Sequence, residues 1–329
     1  MTAPTYDVAA IGNALVDIIA DASDAFLQTH GIAKGGMMLV DADRASMLYS
    51  AIGPAVEMSG GSAANTVAGI ASFGGKAAFM GKVKADQLGG IYRHDLTAQG
   101  VHFATPPSHT ETPTGRCLIL VTPDAERSMN TYLGAAVEFG VGDVDEATLR
   151  AASITYLEGY LFDPPEAKRA FRHAAAIVRD AGRQLALTLS DVFCVERHRA
   201  EFIDLIAADV DILFANQNEL LALYQTQDLN TAIDAARKHC KIAVTTRSAK
   251  GAIIAAGNET VEVAAVPPVK LVDTTGAGDL FAAGFLYGHT HGKTLAESGH
   301  YGALAASEII SHYGPRAQRA LKGLVGQAA

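Results

Sequence analysis

The chain has 329 residues, 49% of them apolar, with 32 glycines and a formal charge of −9. That suits one large α/β domain, alone or with a small appendage, whose core is well buried and whose turns are tight. The acidic balance and the lack of any Lys/Arg run exclude a nucleic-acid surface. No apolar run approaches the roughly 20 residues that span a bilayer, and the N-terminus has neither the basic start nor the cleavage site of a signal peptide. A cytoplasmic setting is expected, and Cys117, Cys194 and Cys240, widely spaced and odd in number, read as reduced core thiols.

In chain order, Tyr6 to Gly12 and Leu15 to Ala20 predict an opening pair of strands. Ser62 to Phe73 reads as a helix between Gly60-Gly61 and Gly74-Gly75, and Asp86 to Gln99 as a second. Arg116 to Thr122 predicts a strand with Glu126 to Leu133 as its partner across the Pro123-Asp124 turn. From about Asp143 helix and strand alternate. The strands fall at Ile154 to Leu157, Gln184 to Leu189, Val210 to Phe214 and Lys241 to Thr246, and the chain closes with helices at Gly278 to Gly288 and Thr294 to His312. Apolar strands spaced by helices mean a parallel sheet. The stretches Asp21 to Ala55 and Pro106 to Leu133 break the alternation and read as insertions that form a small lid.

Three segments carry chemistry. Gly12-Asn13-Ala14-Leu15-Val16-Asp17 puts Asn13 and Asp17 at and just beyond the first strand, where open parallel sheets bind ligands. Asp17 lies in an apolar stretch; it either receives a vicinal diol or caps a turn. Gly60-Gly61-Ser62-Ala-Ala-Asn65 permits close backbone approach to a ligand and equally reads as a helix cap by Ser62. In Val272-Asp273-Thr274-Thr275-Gly276-Ala277-Gly278-Asp279 a glycine turn opens an apolar helix, and the first amides of such a helix form an anion site. A carboxylate aimed at an anion site suits a base that takes the proton of a hydroxyl attacking phosphate. The usual nucleotide motifs are absent: Gly288-His-Thr-His-Gly292-Lys293-Thr294 lacks P-loop spacing and follows a helix. His289, His291 and His300 have no ligand spacing and read as last-turn or surface residues.

Gly60-Gly61 with Asn65, Asn216-Gln-Asn-Glu219 and Asp273-Thr-Thr-Gly-Ala-Gly-Asp279, in this order, resemble the ribokinase-like (PfkB) family of carbohydrate and nucleoside kinases essentially end to end. The resemblance implies a doubly wound, mainly parallel α/β sheet with helices on both faces, plus a small β-sheet lid drawn from about 14–20, 34–55 and 106–133 of a single 1–329 domain. It implies ATP and Mg2+ as partners, Asp279 as general base and the amides of Gly276, Ala277 and Gly278 as the anion hole. Asn13, Asp17, Gly60, Gly61, Ser62 and Asn65 match acceptor contacts. Asn216 and Glu219 match the motif that organises Mg2+ through water. Thr246, Ser248 and Gly251 match the nucleotide loop, with Ser248 where the family has glycine. Asp273 and Thr275 match a monovalent-cation position, with K+ its occupant in some members. Four local sequences resemble the adenosine-phosphorylating branch: Gly12 to Ile18, Arg127 to Ala135 with Arg127 and Leu133, Glu158 to Leu161 with Tyr160, and Leu189 to Phe193. Tyr160 and Phe193 would meet the purine or else pack as core at strand ends, and Met37, Met38 and Leu39 could extend the apolar lid. The expected reaction is transfer to the 5′-hydroxyl of adenosine by a monomer or homodimer. A sugar kinase of the same family is the alternative, followed by a non-catalytic nucleoside-binding protein.

Overall fold

The computed structural model describes residues 3–326; Met1-Thr2 and residues 327–329, the ends of the expected 1–329 domain, lie outside the described residues. The strands are β1 (Tyr6–Ile11), β2 (Leu15–Asp21), β3 (Met37–Leu39), β4 (Ala55–Ser59), β5 (Ala77–Met80), β6 (Val101–His102), β7 (Thr114–Val121), β8 (Arg127–Gly134), β9 (Ala152–Glu158), β10 (Gln184–Thr188), β11 (Ile212–Asn216), β12 (Ile242–Thr246), β13 (Ala252–Ala256) and β14 (Glu259–Val263). Nine form a large sheet in the order β14-β13-β12-β11-β10-β9-β1-β5-β6, and five form a small sheet in the order β3-β8-β7-β2-β4. The large sheet is parallel from β12 to β6, and β13 and β14 add an antiparallel edge.

Side chains alternate across a strand, so β1 sends Val8 and Ala10 into one buried cluster and Ala9 and Ile11 into another. The first cluster is covered by helices Ser62–Phe73, Gln87–Ala98, Ala277–Thr290 and Leu295–Ile309. The second is covered by Pro165–Asp180, Val192–Asp209, Gln217–Tyr224 and Leu229–His239. This is the doubly wound sheet that the alternating pattern implies. Its strand order reverses between β1 and β9, and the cleft beyond the strand ends at such a reversal is where open α/β sheets bind ligands.

The small sheet is apolar on both sides. Ala20, Leu118 and Leu120 pack under helices Asp24–Thr29 and Ala42–Ala51 with Leu27, Ala45 and Leu48. On the other side Ile19, Cys117, Ile119 and Val121 cluster with Met58 and Met129. Pairing across the sheet aligns Asp17 with Cys117 and Cys117 with Thr131, and aligns Val121 with Arg127. Asp17, Arg127, Leu133 and that cluster therefore share one face. Met37 and Leu39 pair with Met129 and Thr131 and join it, whereas Met38 points to the opposite side.

The structure adds elements that the sequence pattern did not disclose. β4 is an exposed edge strand with little alternation, β13 and β14 form a short hairpin, and Gln217–Tyr224 is a helix of eight residues begun by Asn216. All three cysteines are buried and free. Among the described residues no helix is long and apolar enough to cross a membrane.

Candidate active site

Gly276, at φ +78°, is the N-cap of helix Ala277–Thr290, and Asp279 stands in its first turn. The opening amides of a helix have no intrahelical acceptor, and Gly278 is exposed, with no atom within 4 Å of where a Cβ would stand. The positive end of this helix is thus uncovered at Gly278. Asp279 Oδ1 accepts from Ser62 Oγ at 2.6 Å and Oδ2 from Asn65 Nδ2 at 2.8 Å. Burial raises its pKa, while those two bonds, Arg127 and Arg316 pull it back down.

The expected cap by Ser62 is not what forms. The N-cap of helix Ser62–Phe73 is Gly61, at φ +91°, and it makes no side-chain cap bond, so the Ser62 hydroxyl is released to Asp279. A Cβ on Gly61 would stand 2.1 Å from the Asn13 carbonyl oxygen, and one on Gly60 2.1 Å from the Asp17 carboxyl carbon. Gly60 is thus the floor on which the Asp17 carboxylate rests. Asp17 itself lies mid-strand in β2, not at a turn, and is 4% exposed. Burial pushes its pKa up to about 7 against the opposing pull of Arg316. Among the described residues no hydrogen-bond donor reaches that carboxylate. Buried polar groups rarely go unpaired, so Asp17 is free to receive hydroxyl groups of a ligand.

Two residues that the motifs did not disclose hold this region together. Glu158, at the end of β9 and 1% exposed, accepts from Asn13 N at 3.1 Å, Asn13 Nδ2 at 2.8 Å and Ala63 N at 2.8 Å. It ties β1 to the Ser62 helix at the point where the sheet reverses, and burial pushes its pKa up to about 7 in spite of the three donors. Arg316, beyond the last core helix, donates to Asn65 Oδ1 at 2.5 Å and to Ser59 Oγ at 3.0 Å.

Arg127 reaches across from β8 to donate to Thr274 O at 2.7 Å and Thr274 Oγ1 at 2.9 Å. The small sheet therefore touches the glycine turn directly. Asp273 Oδ1 accepts from Thr275 N at 2.9 Å and Thr275 Oγ1 at 2.6 Å, and Oδ2 accepts from Gly314 N at 3.1 Å. This buried carboxylate braces the turn against the loop at Gly314, beyond the last core helix.

On the other flank, Asn216 closes β11 and pairs directly with Thr246 at the end of β12. Asn216 and Glu219 form a reciprocal capping box: Glu219 N donates to Asn216 Oδ1 at 2.9 Å, and Asn216 N to Glu219 Oε2 at 2.9 Å, with a third bond from Asn216 Nδ2 to Glu219 Oε1. Burial pushes the Glu219 carboxyl up to about 7. The turn after Thr246 closes on itself through Arg247 N to Gly251 O at 2.7 Å and Gly251 N to Ser248 O at 3.0 Å. Ser248 sits at φ +51°, a left-handed conformation that glycine adopts without strain.

Tyr160 and Phe193 lie on neighbouring segments joined by Tyr160 N to Ser190 Oγ at 3.1 Å and Cys194 Sγ to Gly159 O at 3.2 Å. Tyr160 feels the charges of Glu219, Arg127 and Asp279. Phe193 is 50% exposed, with the Arg197 guanidinium 4.0 Å from its ring centroid, so it is not core. His289 contacts Gln184 and stacks on Phe285, while His291 bonds the Tyr287 carbonyl at its helix end. Among the described residues no group of three or more His, Cys, Asp or Glu is arranged to hold a metal ion.

Residues 37–320 match the profile of the pfkB family carbohydrate kinases. The chain belongs to that family. The solved adenosine kinase of Sinorhizobium meliloti is 54% identical with a TM-score of 0.96, covering 98% of this chain and 99% of that one. A probable sugar kinase protein of Rhizobium etli CFN 42 is 52% identical with a TM-score of 0.96 over 99% of both chains. The adenosine kinase of Saccharomyces cerevisiae is 26% identical over 96% of this chain and 97% of its own. As a pfkB-family kinase the protein uses ATP as co-substrate, typically with Mg2+.

Proposed function

We propose that this pfkB-family kinase transfers the γ-phosphoryl group of ATP to the 5′-hydroxyl of adenosine. The observation that carries the transfer is Asp279, seated in the first turn of a helix whose amide end is open and held by Ser62 and Asn65. Each of its oxygens keeps a lone pair beyond the bond it already accepts, so an acceptor hydroxyl can hand its proton to the carboxylate as it attacks. The amides of Gly276, Ala277 and Gly278 stabilise the charge that develops on the transferring group. Arg127, already on the Thr274 carbonyl, closes the small sheet over that group and excludes water.

Asp17, buried and unsatisfied above Gly60, takes the ribose hydroxyls with Asn13 and Asn65. The apolar face of the small sheet, with Leu133, and the Tyr160 and Phe193 segments meet the base. The 54% identity with the Sinorhizobium meliloti adenosine kinase over nearly the whole of both chains supports adenosine as acceptor. Thr246, Ser248 and Gly251 with Asn216 form the nucleotide side.

Mg2+ would neutralise charge on the nucleotide phosphates. A lone buried Glu219, its oxygens already shared with Asn216, fits an ion carried by phosphates and water and held through one carboxylate rather than in a protein cage. A monovalent cation beside Asp273 and Thr275 belongs to the same proposal and is read by exchanging K+ for a bulky organic cation.

The deciding experiment is a steady-state panel with adenosine, guanosine, ribose and fructose as acceptors. Adenosine is expected to have the highest kcat/KM. Free sugars ahead by about tenfold or more, a difference of about 1.4 kcal/mol in transition-state stabilisation, would make the enzyme a sugar kinase.

A further inference from the structure

Arg316 belongs to none of the motifs, yet it joins two segments of the site, Asn65 and Ser59, where among the described residues Arg127 bonds Thr274 alone. Its segment passes under the small sheet, where Tyr313 Oη donates to Asp21 Oδ1 at 3.0 Å and Gly314 N to Asp273 Oδ2 at 3.1 Å. From there the guanidinium spans Asn65 Oδ1 and Ser59 Oγ. Ser59, the last residue of β4, is itself anchored to Asp95 Oδ2 through its amide at 3.0 Å and through its hydroxyl. Asn65 continues the chain to Asp279 Oδ2. Asp95, Ser59, Arg316, Asn65 and Asp279 thus form one unbroken series of hydrogen bonds across four helices and strands and one loop.

A carboxamide has one accepting and one donating end. A guanidinium fixed on Oδ1 leaves Asn65 only its Nδ2 to turn toward Asp279. Without that cation the amide can rotate and present oxygen to carboxylate, which repels it.

Charge adds a second constraint. Asp279 is faced by Asp17 from β2, Glu158 from β9 and Glu219 from the Gln217–Tyr224 helix, and by the phenols of Tyr156 and Tyr160. Against these acids stand the guanidinium groups of Arg127 and Arg316. Arg316 in turn is faced by Tyr92, Asp17, Asp95 and Asp279. Arg127 arrives on the small sheet and, among the described residues, binds only Thr274, whereas Arg316 joins Asn65 to Ser59 with Asp17, Asp95 and Asp279 as its charged neighbours.

We propose that Arg316 is a positioning residue for phosphoryl transfer: it locks Asn65 with its donor end on Asp279 and, together with Arg127, supplies positive charge that favours the carboxylate form of Asp279. The catalytic part of this assignment rests on Asp279 being the base; the control of that carboxylate does not.

The test uses the full chain with Arg316→Met and Arg316→Lys, and two readouts. One is kcat and KM for adenosine against pH. The other is the titration of the Asp279 carboxyl carbon by carbon-13 NMR, identified by its loss in Asp279→Asn. In Arg316→Met the carboxyl midpoint is expected to rise, because one of the two guanidinium groups that lower it is removed. At pH 7 kcat should then fall, and the part of the loss that comes from protonation should recover as pH rises, with KM changing less than kcat. Arg316→Lys keeps the charge, so its midpoint should stay near that of the unmodified protein. Its kcat should still drop, because one ammonium cannot hold Ser59 and Asn65 in the guanidinium's geometry.

An unmoved Asp279 midpoint in Arg316→Met, or an Arg316→Lys enzyme with unchanged kcat, overturns the proposal. If Arg316→Met does not fold, the lysine variant still decides whether the bridge is needed. Should Asp279→Asn keep full turnover, the base reading fails, and the carboxyl titration still decides whether Arg316 governs Asp279.

Discussion

On the acceptor side, Asp279 takes its hydrogen bonds from Ser62 and Asn65, 217 and 214 positions earlier, and Arg316 reaches back 251 and 257 positions to Asn65 and Ser59. On the nucleotide side, Asn216 and Glu219 bond each other across three positions, and the turn after Thr246 closes within five residues. The first half is assembled from distant segments and owes its geometry to the whole fold. The second is made of local turns and caps that any strand-to-helix junction could form. Changes on the acceptor side should therefore spread through several elements, and changes on the nucleotide side should stay where they are made.

The largest expected effect that bears on this contrast is Asp279→Asn. It removes the proton acceptor while keeping shape, so kcat should fall about a hundredfold or more with adenosine affinity nearly intact, as measured by steady-state kinetics and calorimetry. Unchanged turnover would remove the acceptor side from the chemistry altogether. Gly60→Ala comes next. Its Cβ would stand 2.1 to 2.3 Å from three atoms of the Asp17 carboxyl group, so the carboxylate must move, and KM for adenosine should rise about tenfold while KM for ATP stays within about twofold, the range of change when a mutation misses a ligand's own contacts. A parallel rise for ATP would show that the two halves are not independent.

A smaller effect lies in the pH dependence of stability. Asp17, Glu158 and Glu219 are raised from ordinary values of 3.8 and 4.5 to about 7. The folded state then binds more protons than the unfolded one across that window, so their contribution is greatest below about pH 4 and is lost as pH rises toward 7. Asp17→Asn should flatten this decline in melting temperature between about pH 4 and 7, and an unchanged slope would show that Asp17 is not the strained acid it is taken to be. The smallest effect belongs to the local half. Ser248→Gly relieves the left-handed conformation at φ +51° and should change stability by no more than about 1 kcal/mol, with kcat for adenosine unaltered.

Legibility in the sequence follows the same division. Asp17, Asn65 and Asp279 could be read because each is a polar residue in an apolar run, Asp17 within a strand and the other two near a helix start, and helix-strand alternation disclosed the large sheet. Glu158 stood in a segment read for its aromatic, Tyr160, yet its work is to receive amides from Asn13 and Ala63, 145 and 95 positions earlier, and no local pattern encodes that. Arg316 follows the last core helix in an irregular stretch with no periodicity to mark it. Ser62 looked like a cap because serine before a helix usually is one; Gly61 at φ +91° took that place instead. β4 and β14 escaped notice because these edge strands bury too little to show alternation, whereas β13, paired on both sides and buried, is a short apolar run that does not alternate at all.

The reach of the Arg316 bonds bears on how the protein comes together in time. Contacts between residues far apart in sequence close large loops, and such contacts form slowly because chain entropy must be spent before they reward it. The capping box at Asn216 can form as soon as its own helix does, whereas Asp279 meets Ser62, Asn65 and Arg316 only when the fold is nearly complete. In refolding from denaturant, helical signal should therefore return well before the capacity to bind adenosine, which makes ligand binding a readout of the last step of maturation.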